Sequence, residues 1–356
     1  MSEINRKMAS VQRVAEVKSI EGADMICAYK INGWWVVDQV GKYRVGDLTI
    51  YCEIDSWIPN TIASFLSKGK EPREYFGVKG ERLRTVRLKG QLSQGLLLSI
   101  SILDRWDSEE NVQYWGHQEW SEGDDVSEEL DIQKWELPIN PQLAGKMKGN
   151  WPHYLQKTDQ ERIQNIQREI TDAFNNKDAF EVTVKLDGSS CTVYYNNGEV
   201  GVCSRNIDLK LDQEGNAFVD IAKKTGLIET LPKLNRNIAV QGELMGPGIQ
   251  GNKEDFRENR LFVFDVYDID NQCYFSTYDR MDICRELLAL GGCNLDLAPL
   301  DHPNVMTLPT DNIDELLKMA EGKSINAKVR EGIVFKRVDG KFSFKIINNE
   351  FLLRDK

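Results

Sequence analysis

Residues 181–195, EVTVKLDGSSCTVYY, alternate apolar and polar side chains in two runs with one interruption, at Asp187-Gly188. Alternation with a period of two reads as half-buried strand, and Asp-Gly is a turn signal. The second half of the chain must therefore build sheet around a break, with Lys185 closing the strand before it. At 356 residues the chain exceeds one typical domain. All eight tryptophans lie at or before Trp151, so the two halves differ in composition, and a boundary is expected just before that residue. We expect one domain over 1–135, a linker over 136–150 and a second domain over 151–356.

The first half contains short strand-like runs at regular spacing: ASVQRVAEVKSI, MICAYKI, WWVVDQV, LTIYCEI, RLRTVRL and GLLLSI. Gly33, Gly46 and Gly90 mark turns between them. Short strands with turn punctuation point to a small closed barrel, here a five-stranded OB-type β-barrel. Charge is uneven along it. Residues 68–89 carry eight basic and three acidic side chains, whereas 104–131 carry eleven acidic residues and one arginine. The acidic stretch is expected to be a solvated flank. The basic one is a candidate nucleic-acid face, with Arg82, Arg84, Arg87 and Lys89 as its contacts, although a charge run alone is as often only a solvated surface. Local basicity is what counts, since the net charge of −11 excludes only a uniformly basic binder.

The second half opens at Thr158-Asp-Gln-Glu161, a capping box, which predicts a helix through RIQNIQREITDAF with Ile163, Ile166 and Ile170 buried. Strand-like segments GEVGVCSR, IAVQGELMG, RLFVFDVYDI, GIVFKRV and FSFKII follow, with helices near 279–290 and 311–321. Strands and helices mix without regular βαβ alternation, so the class is α+β.

Composition narrows the chemistry. The sequence has no apolar run of 18 residues, and its start has no apolar segment of the signal-peptide kind. Its seven cysteines include no C-x-x-C pair. These features predict a cytoplasmic protein with free thiols and no membrane partner. Three scattered histidines give little basis for a His-ligated zinc site or His-based acid-base catalysis. Any metal is expected to be oxygen-bound.

A K-x-D-G tetrapeptide such as 185–188 arises by chance in about one chain of this length in ten, so alone it reads as an exposed lysine before a turn. It is followed, in order, by SRN at 204–206, GEL at 242–244, FVFD at 262–265, EGIVFK at 331–336 and FSFK at 342–345. This series resembles that of the covalent nucleotidyltransferase superfamily of polynucleotide ligases and mRNA capping enzymes. The resemblance implies a ligase-type nucleotidyltransferase domain in which Lys185 attacks the α-phosphate of ATP to form a lysyl-AMP. It implies that Lys345 neutralises that phosphate, that Asp187, Glu243 and Glu331 bind Mg²⁺ or Mn²⁺ or its waters, and that Lys185, Lys345 and Glu331 are the catalytic set. Phe264 would stack on adenine, Glu243 accept from the ribose hydroxyls, and Arg205 offer a planar fork to a phosphate. An ordinary lysine is neutral in only about one molecule in 2500 at pH 7. A metal ion, a second lysine and desolvation are therefore expected to lower the pKa of Lys185. The glycine-rich segment GELMGPGIQGN is either a nucleotide-facing loop or an irregular connection.

Within that superfamily, DNA ligases and capping enzymes carry an arginine two positions after the K-x-D-G glycine and place an OB domain after the last lysine motif. Here Ser190 holds that position, and the barrel-like half comes first. That order, with VGDLTIYCEIDSWIP, RTVRLKGQLSQGLLL, KTDQERIQN and FKIINNEFLL, resembles the fifth family of RNA ligases across nearly the whole chain. The likeness implies ATP-dependent sealing of 3′-OH and 5′-phosphate RNA ends in RNA repair, with nicked duplexes that carry a 3′-OH ribonucleotide as the preferred substrate. A monomer is expected, with an end-healing kinase or phosphatase as a candidate partner. One departure is marked: Ile347 stands where the last motif often has a second lysine. A DNA ligase of the same superfamily and a non-catalytic OB nucleic-acid-binding protein are the alternatives.

Overall fold

The computed structural model describes residues 6–104, 119–136, 145–212, 214–291 and 294–354. These residues fall into two compact units, 6–136 and 145–354.

In the N-terminal unit the strand Ala9–Ile20 is the spine. Its first part pairs antiparallel with Leu48–Cys52 and its second with Ala23–Ile31. A register shift between Val14 and Glu16 marks a bulge, which bends a strand and lets it serve two partners. Trp34–Gln39 and Leu96–Leu98 complete a five-stranded sheet. The Gln94 amide donates to Trp35 O at 2.8 Å, drawing the two outer strands together, and Val11, Val14, Ile31, Trp34 and Ile50 fill the interior.

Two expectations change here. The run RLRTVRL is not one strand: Val78–Arg82 ends at Arg82, and Val86–Leu88 starts a separate hairpin with Gln91–Ser93. Of the acidic flank, residues 105–118 lie outside the described residues. The part from Glu119 is not merely solvated. Val126, Leu130 and Ile132 are buried among Met8, Ile50 and Ile58, and Gln133–Lys134 pairs with Ser56–Trp57.

The C-terminal unit has two sheets. The larger runs in the order Met147–Asn150, Ile207–Leu209, Glu199–Cys203, Ser189–Asn196, Ile238–Met245, Arg260–Asp268 and Cys273–Tyr274, with Asp296–Leu297 added parallel to Arg260–Asp268. The smaller comprises Glu161–Arg162, Ser343–Ile347, Gly332–Arg337 and Phe180–Lys185. Helices Ala217–Lys224, Leu227–Leu234 and Thr277–Ala289 pack on the larger sheet; Gln167–Asn176 and Ile313–Lys318 pack on the smaller. The chain passes from one sheet to the other between Lys185 and Ser189. The Asp-Gly break is thus one of the points where the chain crosses between the sheets.

Met147–Asn150, expected within a linker, is an edge strand of the larger sheet; residues 137–144 of that linker lie outside the described residues. The capping box also gives way. Glu161–Arg162 pairs in parallel with Phe344–Lys345, Ile163–Asn165 is a 3₁₀ turn, and the helix starts only at Gln167. The Glu161 carboxylate takes the Arg162 amide and the Asn165 side chain at 2.8 and 2.9 Å, while the Thr158 hydroxyl meets that of Ser190 at 2.9 Å. Ile163 and Ile170 are nonetheless buried, as the stripe required.

Candidate active site

Strand pairing decides which side chains meet. Lys185 lies opposite Gly332, and Gly332 opposite Ile347; one step in, Thr183, Val334 and Lys345 form the next row. Side chains two apart on a strand share a face, so Lys185, Val334, Lys336 and Lys345 all turn toward one cleft. Across it, the larger sheet offers Ser190, Glu243 and Phe264. The cleft has a cavity volume of about 200 Å³, and Lys185, Asp187, Arg205, Glu243, Phe264, Glu331 and Lys345 all line it. Every residue expected at the nucleotide site is therefore at one place.

Close approach is built in by glycine. A Cβ on Gly188 would lie 2.3 Å from both Leu244 O and the Met245 sulfur, and one on Gly332 would lie 2.1 Å from Ile346 O. The Gly188 amide donates to Glu243 Oε1 at 3.0 Å, which ties the Asp-Gly break to the larger sheet.

Lys185 Nζ donates to Glu331 Oε2 at 2.8 Å. Burial works against its charged form, but Glu331, Glu243 and Asp187 outweigh burial and hold its pKa above the ordinary lysine value. Burial acts in the expected direction, and the three carboxylates facing the amine favour its protonated form. Burial also lifts Glu243 to about 7, with Glu331 adding to the shift, and burial followed by Glu331 raises Asp187. Asp187 is paired with Lys253. The carboxylates are hard oxygen donors suited to Mg²⁺ or Mn²⁺. Among the described residues no three His, Cys, Asp or Glu side chains are gathered closely enough to cage an ion. That arrangement fits a cation held by one or two carboxylates together with substrate phosphates.

Phe264 lines the cleft beside Lys336, whose Nζ is 5.1 Å from the ring centroid. Lys336 is a cleft residue that the motif reading left unassigned, although its period-two spacing from Val334 was a signal. Its Nζ meets Asp265 Oδ2 at 2.6 Å and Phe264 O at 2.5 Å, and burial pulls its pKa below the ordinary lysine value. Arg280 completes this buried cluster, donating to both Glu181 oxygens at 2.7 and 2.6 Å and to Phe264 O at 2.7 Å. Thr158, Asp159, Gln160 and Gln250 also line the cleft; the motifs single out none of them for the site, and Thr158 reads in the sequence as a helix cap. Gln250 brings the glycine-rich segment to the edge of the cleft. Arg205 lies 3.6 Å from Asp159 and is half exposed.

In the N-terminal unit the four basic residues separate. Arg82 is not available as a surface contact: its side chain is 10% exposed, bound to Asp55 at 2.6 Å and stacked 4.0 Å over Trp135. Arg84 is half-buried, while Arg87 and Lys89 are exposed on the Val86–Ser93 hairpin.

A family model described as RNA ligase matches residues 178–347, and an OB-fold domain model matches residues 8–100. Among solved structures, a mutant of the Naegleria gruberi RNA ligase with AMP and Mn is 40% identical, with a TM-score of 0.87 and coverage of 98% of each chain. A second mutant of that ligase, with ATP and Mn, is 40% identical with a TM-score of 0.87, covering 98% of this chain and 99% of that one. The same ligase with PPi gives 41% identity and a TM-score of 0.86, again covering 98% of this chain and 99% of that one. Comparison with curated proteins finds no match.

Proposed function

The chain belongs to the RNA ligase family, and we propose that it seals 3′-OH and 5′-phosphate RNA ends through a lysyl-AMP on Lys185, as a member of the fifth family of RNA ligases. It is an ATP-dependent ligase with Mg²⁺ or Mn²⁺ as its metal. The observation that carries the reading is the convergence of Lys185, Glu331, Glu243, Asp187, Arg205, Phe264 and Lys345 on one cleft.

In the first step Lys185 Nζ attacks the α-phosphorus of ATP and pyrophosphate leaves. Glu331, 2.8 Å from Nζ, is placed to take the ammonium proton. Lys345 and Arg205 offset charge on the phosphates, and Phe264 packs on the adenine. A bound divalent ion, held by Asp187, Glu243 or Glu331, supplies charge neutralisation at the phosphates. AMP then passes from Lys185 to the RNA 5′-phosphate, and the 3′-OH attacks that phosphate and expels AMP. Such transfers rest on positioning and electrostatics, which a cleft of lysines, carboxylates and one arginine supplies. The N-terminal unit grips RNA backbone through the exposed part of its 68–89 stretch, Arg87 and Lys89 included, with Arg84 beside them.

The test offers two nicked duplexes that differ only in the 3′-terminal sugar at the nick. Sealing of the ribose nick alone, lost in Lys185→Ala, is the expected result. Equal sealing of a deoxyribose nick would instead favour the DNA ligase alternative.

A further inference from the structure

The strands Arg73–Tyr75 and Val78–Arg82 form a hairpin, closed by the pair Tyr75 and Val78. Its two-residue turn is Phe76-Gly77, with φ of +45° and +81°. Two positive φ values in a two-residue loop are the type I′ geometry, which favours Asn, Asp or Gly at its first position. A bulky aromatic there is strained. Phe76 is also 75% exposed. Folding gains little from such a ring, and strain held at a surface tip points to a use outside the fold.

The ring is mounted rigidly. Buried Trp57 donates to Val78 O at 3.0 Å, and its ring lies 5.3 Å from that of Tyr75. The Tyr75 ring meets Phe76 edge-on at 4.6 Å. Tyr75 OH donates to Lys134 O at 3.2 Å and accepts from the Glu136 amide at 3.0 Å. Three rings thus run from core to surface and hold the last one out. Lys68, Lys70, Arg73 and Lys79 are exposed in the same hairpin and the segment leading to it. Arg73 and Lys79 are ion-paired with Glu81 and Glu71, so Lys68 and Lys70 are the cations that suit phosphates. A single projecting ring near such cations matches a nucleobase with its backbone better than it matches a protein surface, which would want a broader apolar patch.

We propose that Phe76 is a base-stacking residue that receives an unpaired nucleotide of the RNA. This rests on the RNA ligase reading. Phe76→Asn separates function from folding, because asparagine is favoured at this turn position and should leave the thermal midpoint unchanged or higher. Wild type, Phe76→Asn and Phe76→Trp, as full chains, are titrated against short fluorescent single-stranded RNA and against a blunt RNA duplex. Labelling from α-labelled ATP is measured alongside. The expected result is an affinity loss of about 5- to 150-fold for single-stranded RNA in Phe76→Asn, little change for the duplex, retained affinity in Phe76→Trp, and ATP labelling equal to wild type in both variants. Unchanged RNA affinity in Phe76→Asn overturns the proposal and leaves the ring to another partner. A fall in thermal midpoint matching the affinity loss also overturns it, as a structural role. Absence of ATP labelling in the wild type sinks the underlying ligase reading instead.

Discussion

Replacing Arg280 by methionine tests how the strand that carries Phe264 is held. Arg280 is 6% exposed and Glu181 8%. The guanidinium binds both Glu181 oxygens at 2.7 and 2.6 Å and Phe264 O at 2.7 Å. It also lies 3.9 Å from Asp265. Methionine can fill much of the volume but leaves the Glu181 carboxylate buried without its counter-charge. Breaking a buried pair from one side costs about 3–5 kcal/mol. For a unit of this size, each kcal/mol moves the thermal midpoint by about 2–4 °C, so the C-terminal transition should fall by about 6–20 °C. Removing both charges in Glu181→Met/Arg280→Met should recover at least half of the loss, since a buried ion pair is often replaced by apolar side chains at little cost. Phe264 O keeps its bond from Lys336 throughout. Scanning calorimetry of wild type and the two single and one double variants gives the coupling. A loss under about 1 kcal/mol in Arg280→Met, or a double variant no more stable than the single, would refute the reasoning.

Glu243, raised to about 7 in the fold, binds a proton that the unfolded chain releases near its ordinary value. Stability of the nucleotide- and metal-free protein should therefore fall as pH rises from about 4.5 to about 7, by roughly 3 kcal/mol in total. Urea unfolding between pH 5 and 8 should show that slope, and Glu243→Gln should flatten it. Gly188→Ala should force the Lys185–Ser189 crossing to shift, because its Cβ would meet Leu244 O and the Met245 sulfur at 2.3 Å. A misplacement of about 1 Å lowers a positioned reaction about 100-fold, so single-turnover ATP labelling should slow by that order while the barrel unit's unfolding transition stays in place.

The strands of the barrel were legible because alternation and glycine turns are local. So was the cleft, whose seven expected residues belong to short motifs in strands or the turns beside them. The false capping box shows the limit: Thr158 and Glu161 have the right spacing, but pairing of Glu161–Arg162 with Phe344–Lys345 is a contact across more than 180 residues that no local pattern records. Helices Ala217–Lys224 and Leu227–Leu234 were missed for a different reason. They are short, and Pro232 sits inside the second, so the local signal spoke against a helix that packing on the larger sheet sustains. Arg82 misled because charge predicts exposure only on average, and Trp135 and Asp55 are far from it in sequence. The pKa of Lys185 could not be judged without knowing that its nearest charged partner is Glu331, the residue just before the neighbouring strand Gly332–Arg337.

The account stands or falls on Lys185 as the nucleotide acceptor. Purified protein is incubated with α-labelled ATP, or separately GTP, and Mn²⁺, then denatured, with intact mass recorded and Lys185→Ala run beside it. Label from ATP that survives denaturation, adds the mass of one adenylyl group, maps to Lys185 and vanishes in the variant is the predicted result. Folded protein that arrives without an adenylyl group and takes no label from ATP, or a Lys185→Ala chain that labels as well as wild type, would contradict it.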